Sequence, residues 1–451
     1  MKLVSVIFIL ITAVESCSQG PRYDLIIHHA KLFDSKTGTV SNDKTILVKA
    51  GAIVNVTDYQ EGLTATKTID ANGKLVTPGF IDTHIHPTDV FGDYTAAPEY
   101  LPQDSISFFR KKLSDNYLPY GVTTALIMGQ PENWLRPILN WSSNPVPDRL
   151  DIYTTGGALI STESRKPYIN HITVASPLAA KQKVLEYYRL GIRHIKLYWR
   201  LRLPEFEAAF KTADSLGMKV YGHIDQNIMF MDTTLTIGLR NYEHLLTLDN
   251  SVLHFQKDGA AFGLNMQKNY ASTNTSFPVV RLEMFRFIHD MRPAAMDSLI
   301  NNLSKNTVSL STTIHLMAEQ FGLTWFSNKT DTSLAAEQLS RCRENFKIFM
   351  SYAKQLSDKG VQFRIGTDCA NGGKAFVSEQ LLLFENGFSI PAILQISTIN
   401  GAKALGADDK YGSIEKGKKA NLLIWDKSPI DDYKNFLANK SVIKDGIVLP
   451  Q

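Results

Sequence analysis

The sequence has few cysteines, no basic cluster and almost no long apolar run, and each absence narrows the field. Three cysteines among 451 residues, at positions 17, 342 and 369, cannot make a disulfide framework. Any core must therefore hold by packing alone. Lysine and arginine nearly balance aspartate and glutamate, leaving a net charge of +4. No run of Lys and Arg interleaves with aromatic residues, which argues against a nucleic-acid partner. Internal repeats and low-complexity tracts are also missing, and this excludes a solenoid. What remains, at 44% hydrophobic and 20% charged, is globular in composition.

The one apolar run of note opens the chain. Lys2 precedes Leu3 to Val14, and Glu15-Ser16-Cys17 follows. About a dozen residues cannot cross a hydrocarbon layer of about 30 Å as a helix. A short basic start, an apolar stretch and a small residue before a cleavage point instead make an export signal. Val14-Glu15-Ser16-Cys17 also resembles a bacterial lipobox, in which lipid is attached to the cysteine. Residues 1–17 are expected to direct export from a bacterial cell. The mature chain would lie in the periplasm, or at the outer membrane or cell surface as a lipoprotein anchored through Cys17.

Residues 22–76 read as short strands and turns: Asp24-Leu25-Ile26-Ile27, Thr45-Ile46-Leu47-Val48 and Ala52-Ile53-Val54-Asn55-Val56. Residues 408–451 have the same texture, with Asp445-Gly446 as a hairpin signal. Both ends are expected to join in one small β-sandwich domain. The middle, 77–407, alternates strand-like and helix-like stretches. Eight candidate strands end near His84, Met128, Ala158, Tyr198, His223, Leu246, Ile314 and Asp368, with helical patterns at Leu178–Leu190, Pro204–Leu216 and Ala335–Leu356. Eight such units predict an α/β fold, a (β/α)8 TIM barrel, with its active site at the C-terminal strand ends. A doubly wound sheet would show a Gly-rich phosphate turn after the first of these strands; that strand ends in His-x-His instead. The long gap at about 249–306 is expected to hold extra helices forming a lid or substrate wall.

His84-Ile85-His86 is the strongest chemical signal. Residues i and i+2 of a strand share a face, so two imidazoles are presented to one point, and neutral imidazole is a common ligand for zinc. Alone the pair means little. Lys196, His223, His244 and Asp368, however, fall at the predicted ends of four other strands, and a barrel brings strand ends together at one mouth. Tyr198, two residues past Lys196, and Tyr242, two before His244, have a claim to the same mouth. Arg165, Tyr168 and His171 lie in the loop after the third strand, where they could grip a carboxylate. His315 lies at or just past the seventh strand.

In combination with Pro78-Gly79-Phe80-Ile81-Asp82-Thr83, Gly121-Val122-Thr123-Thr124, Gly366-Thr367-Asp368, Asn400-Gly401-Ala402-Lys403-Ala404-Leu405-Gly406 and Gly412 to Leu422, these residues resemble the amidohydrolase superfamily. The likeness is to the group of imidazolonepropionase and metal-dependent Xaa-Pro dipeptidases. The resemblance implies that His84, His86 and Asp368 hold one divalent ion, and that His223 and His244 hold a second. It implies that Lys196 bridges the two as a carbamate, since an ammonium has no lone pair to give. A bare Lys196 would point to a single ion. Zinc is the expected metal, and ions of this kind would bring a bridging water's pKa towards neutrality. Asp368 would carry that water's proton to the leaving nitrogen.

The expected reaction is hydrolysis of an amide C–N bond in a small-molecule substrate, such as a dipeptide or N-acyl amino acid. Opening of a cyclic amide or lactone on the same fold stays open, as does a non-catalytic barrel that binds a ligand. Ring deamination is disfavoured, because the segment after the fifth strand offers Asp225 and Gln226 and no His-x-x-Glu. The oligomeric state is not set by anything in the sequence.

Overall fold

The structure is a computed structural model that describes residues 22–92, 94–224, 229–271, 275–327 and 329–450. The expected export signal, Cys17, Asp225 and Gln226 all lie outside the described residues.

The N-terminal strands are β1 (Tyr23–Asp34), β2 (Thr39–Lys49), β3 (Ala52–Asp58), β4 (Ala65–Asp70) and β5 (Leu75–Pro78). β1, β2 and β3 form an antiparallel meander, whereas β4 and β5 run parallel to successive parts of β1. Two register shifts in β1, between Ile27 and Ala30 and between Ala30 and Leu32, fall where its partner changes from β4 to β5. An irregularity of this kind bends a strand, so one long strand can serve both.

Only Gly79 separates β5 from the central α/β region. There β6 (Phe80–Ile85), β7 (Val122–Ile127) and β8 (Asp151–Thr154) pair parallel. The next strands are β9 (Ala158–Ser161), β10 (His171–Val174), β11 (His194–Leu197), β12 (Lys219–Gly222), β13 (Asn241–Tyr242), β14 (Ser309–Ser311) and β15 (Gln362–Arg364). They make a second parallel sheet in the order β10-β9-β11-β12-β13-β14-β15. The set curls, and its last strand returns to its first. Thr83 N–H donates to the Ile365 carbonyl, and Asp368 N–H donates to the His84 carbonyl, each at 2.9 Å.

Helices Pro177–Arg189, Leu203–Ser215 and Ala336–Asp358 stand close to the three predicted spans. The first is capped by the Ser176 hydroxyl, which accepts from Ala179 N–H, with Pro177 at its opening position. The third predicted strand is corrected. It is two strands, β8 and β9, broken at Thr155-Gly156-Gly157, and of the two it is β9 that pairs with β11. The long gap holds helices Thr247–Val252, Phe255–Tyr270, Phe277–Met291 and Pro293–Lys305. Among the described residues no helix is long and apolar enough to cross a membrane.

The chain ends with β16 (Leu422–Trp425), β17 (Lys440–Lys444) and β18 (Ile447–Val448), which rejoin the N-terminal strands as β18-β17-β16-β5-β1-β2-β3. Both ends thus share one sheet. Asp445 and Gly446, at φ +48° and +73°, make the predicted turn between β17 and β18, a conformation that suits the twist of a two-residue hairpin. The sheet has its own apolar cluster, including Leu25, Ile27, Ile46, Val76, Leu422 and Ile424. The larger core lies in the central region between strands and helices.

Candidate metal centre

β6 is buried along its whole length, and its alternation turns Asp82, His84 and His86 to the same side. His84 Nδ1 donates to Glu243 Oε2 at 2.6 Å, which leaves its Nε2 3.6 Å from Asp368 Oδ1. His86 Nδ1 donates to the Gly129 carbonyl at 2.9 Å, and its Nε2 lies 3.2 Å from the same Asp368 oxygen. Each ring is therefore fixed through one nitrogen with the other free to act as a ligand, the arrangement typical of metal-binding histidines.

Asp368 follows β15 at φ +49°, and His244 follows β13 at φ +66°. Left-handed backbone is uncommon outside glycine and gathers at functional sites. It brings His244 Nδ1 to 3.8 Å from Asp368 Oδ2 and 3.2 Å from Thr313 Oγ1. Gly366 explains part of its motif by close approach: a Cβ there would stand 2.2 Å from Ser311 Oγ and 2.7 Å from His84 Cβ. The segment carrying Asp368 can then pack directly on β6.

Ligand atoms of His84, His244 and Asp368 lie within 4.8 Å of one another. His86 flanks Asp368, and His223 packs against His244 with ring centres 4.5 Å apart. The six predicted ligands are thus neighbours, but the tightest trio combines residues that the sequence reading had split between two ions. Lys196 stands in β11, 1% exposed. Among the described residues neither its Nζ nor His223 Nδ1 has a hydrogen-bond partner, and both atoms are buried.

Burial works against every charge here. It pushes the Lys196 amine down to about 8, against the pull of Glu243 and Asp368. Burial would raise Glu243, but Arg364, Lys196 and His84 outweigh it and hold the carboxyl well below the usual range. Asp368 is likewise low: burial opposes ionisation, and His84 and His86 overcome it. His223 and His244 are held neutral, chiefly by burial.

The six predicted ligands line a cavity of about 280 Å3, whose walls include Tyr198, His171, Tyr168, Asn170, Phe277 and Leu316. The Tyr198 ring packs against His223 and His171, with centres 5.1 and 4.4 Å apart. Burial and the nearby Arg200 charge hold His171 at about 3, so it stays neutral.

Three sequence expectations are corrected. Tyr242 faces the helices, its hydroxyl bonded to Thr234 Oγ1 at 2.9 Å, because the left-handed turn at His244 breaks the strand alternation. Arg165 is drawn away: its guanidinium bonds Glu163 at 2.7 Å and stacks over Trp199 at 4.6 Å. His315 opens the short helix His315–Ala318, where successive side chains diverge by about 100°, and Leu316 reaches the cavity in its place.

Sequence reasoning missed Glu243, Arg364 and Arg200. Glu243 stands in Arg240-Asn241-Tyr242-Glu243-His244, where no apolar run sets it apart from its polar neighbours. Arg364 Nη2 donates to Glu243 Oε1 at 2.5 Å and Nη1 to Thr83 Oγ1 at 2.8 Å, and both members of the ion pair are fully buried. Arg200 donates to the Arg165 carbonyl at 2.8 Å, fixing the loop that carries Tyr168.

A cluster of histidines, one lysine and one aspartate at the ends of curled parallel strands defines a class of metal-dependent hydrolases. Residues 75–448 match the amidohydrolase family, and the chain belongs to that family. It is an enzyme that hydrolyses carbon–nitrogen bonds, and the family binds divalent metals. An imidazolonepropionase of Staphylococcus aureus (strain JH9) is 23% identical over 424 residues, 91% of this chain and 90% of that protein. One from Clostridium tetani (strain Massachusetts / E88) is 35% identical over 108 residues, 22% of this chain and a quarter (25%) of that relative's length. In fold, the chain resembles a Xaa-Pro dipeptidase with bound methionine in its active site, with TM-score 0.66 and 19% identity, covering 95% of this chain and 100% of that one. It also resembles A. niger ochratoxinase, with TM-score 0.64 and 14% identity, covering 94% and 95%.

Proposed function

We propose that the protein is an exported, zinc-dependent hydrolase that cleaves the amide bond of a dipeptide or N-acyl amino acid. Its catalytic body would be a (β/α)8 barrel over 77–407, joined to a β-sandwich domain from 22–76 and 408–451. The observation that carries the reading is Lys196: a buried amine without a hydrogen-bond partner among the described residues, beside four histidines and an aspartate. A buried lone ammonium is costly, whereas a carbamate at the same atom would offer two oxygens to ions. The donor set fits a pair of divalent cations. His84, His86 and Asp368 would hold one, His223 and His244 the other, with the Lys196 carbamate shared.

When bound, such ions supply Lewis acidity that makes water a nucleophile near neutral pH and polarises the scissile carbonyl. Asp368, kept ionised, accepts the proton of the attacking water. A bond forms between water oxygen and carbonyl carbon, the C–N bond breaks, and Asp368 passes the proton to the leaving nitrogen. Tyr198 and neutral His171 stand in the wall as uncharged hydrogen-bonding groups for the substrate. Glu243 holds the His84 ring in one orientation throughout.

The test is amine release by the zinc-loaded protein from a panel of dipeptides and N-acyl amino acids, with cyclic amides and lactones alongside. Turnover of at least one linear amide is expected. Turnover confined to cyclic compounds overturns the substrate assignment, and none at all overturns the hydrolase reading. Export through residues 1–17 and lipid on Cys17 complete the proposal. Labelled fatty acid should enter the wild type and not Cys17→Ala; equal labelling contradicts the anchor.

A further inference from the structure

A second cavity, of about 380 Å3, lies between the turn before β7 and the C-terminal strands. Its volume falls within the about 300–1,000 Å3 usual for small-molecule sites. It shares no residue with the metal cavity. β7 begins beside it and leads to Met128 in the metal cavity's wall, so the two are separated by a strand length, about 20 Å.

The lining is apolar at Leu118, Pro119, Val442, Leu449 and Pro450, with one buried cation, Lys440. Lys440 is the first residue of β17 and only 7% exposed. Its stem passes Gly121, where a Cβ would stand 3.1 Å from Lys440 Cδ and 2.8 Å from Leu423 Cδ1. Gly121 also sits at φ +90°, so both the turn and the passage need a residue without a side chain. The amine rests 4.7 Å from the centre of the Trp425 ring. Among the described residues it meets no carboxylate. The two acids of the wall are taken: Asp115 pairs with Lys111 at 2.6 Å and Asp148 with Arg149 at 2.5 Å.

Buried charges in proteins are ordinarily paired, because an isolated one forfeits its hydration without return. Burial does depress the proton affinity of this amine. Here a cation without a carboxylate partner among the described residues lines a cavity that also has an apolar wall, which suits a ligand with an anionic head and an aliphatic body. We propose that the cavity binds a small amphipathic monocarboxylate, its carboxylate on Lys440 and its chain along Leu118, Val442 and Leu449.

Calorimetric titration of the full-length zinc-loaded protein with octanoate tests this, with 1-octanol and chloride as separate arms. One octanoate should bind per chain, at least about tenfold tighter than octanol, the worth of one charge-assisted contact. Lys440→Met should lose that advantage and Lys440→Arg should keep it. Leu449→Trp, which fills the cavity without touching the charge, should abolish binding, so the test does not rest on Lys440→Met folding. Failure of the wild type to bind octanoate, equal binding of octanol, or unchanged affinity in Lys440→Met overturns the proposal. Binding of chloride alone would overturn the amphipathic ligand.

Discussion

Glu243 joins two parts of the molecule: one carboxylate oxygen lies 2.6 Å from His84 Nδ1, and the other accepts from Arg364 Nη2 at 2.5 Å. The pair is fully buried, so the carboxylate both orients a metal ligand and neutralises an internal guanidinium. Glu243→Gln keeps the shape but weakens the grip on His84, and zinc affinity should fall about 10- to 100-fold in a competition titration. Glu243→Ala leaves Arg364 unpaired and should cost about 3–5 kcal/mol in denaturant unfolding. Unchanged zinc affinity in Glu243→Gln contradicts the orienting role.

Asp368 is assigned the proton transfer. Asp368→Asn should keep most of the bound metal while turnover falls about 100- to 10,000-fold, the usual worth of a positioned acid–base group. Wild-type activity in this variant removes Asp368 from that role.

Lys196 decides the number of ions. Native mass spectrometry should find the mass of one carbon dioxide on the wild type and two metals per chain. Lys196→Met should lose both the adduct and one metal. A bare lysine in a fully active wild type indicates a single-ion site.

Glu379 gives a pH prediction away from catalysis. Its Oε1 accepts from His315 N–H at 2.6 Å, Oε2 is buried with no hydrogen-bond partner among the described residues, and burial raises the carboxyl from 4.5 to about 8. Between those values the folded chain holds a proton that the unfolded chain has released, so stability falls as pH rises through that window. Glu379→Gln stays neutral throughout. Relative to wild type it should gain stability from pH 4.5 to 8, by up to roughly 5 kcal/mol. A difference that does not change with pH contradicts the protonated state.

Much of this was legible in the sequence, for a definable reason. His84, His86, Lys196, His223 and Asp368 sit at the ends of strands whose apolar runs are bounded by turns, so position along a strand predicts position at a mouth. The hairpin at Asp445-Gly446 was legible because few dipeptides adopt two successive positive φ values. Tyr242 was misplaced because counting by twos assumes a continuous strand, and the left-handed turn at His244 ends it. Glu243 and Arg364 were invisible because their partners lie 159 and 121 residues away in sequence. Arg165 looked free for a substrate until Glu163 and Trp199 were seen to hold it.

Metal content read together with turnover bears most directly on the whole account. Protein grown in zinc-supplemented medium should retain about two ions per chain, lose amide hydrolysis when a chelator strips them, and recover it when zinc is returned. Protein with intact His84 and His86 that holds no metal, or that hydrolyses its substrate equally well after stripping, would contradict it.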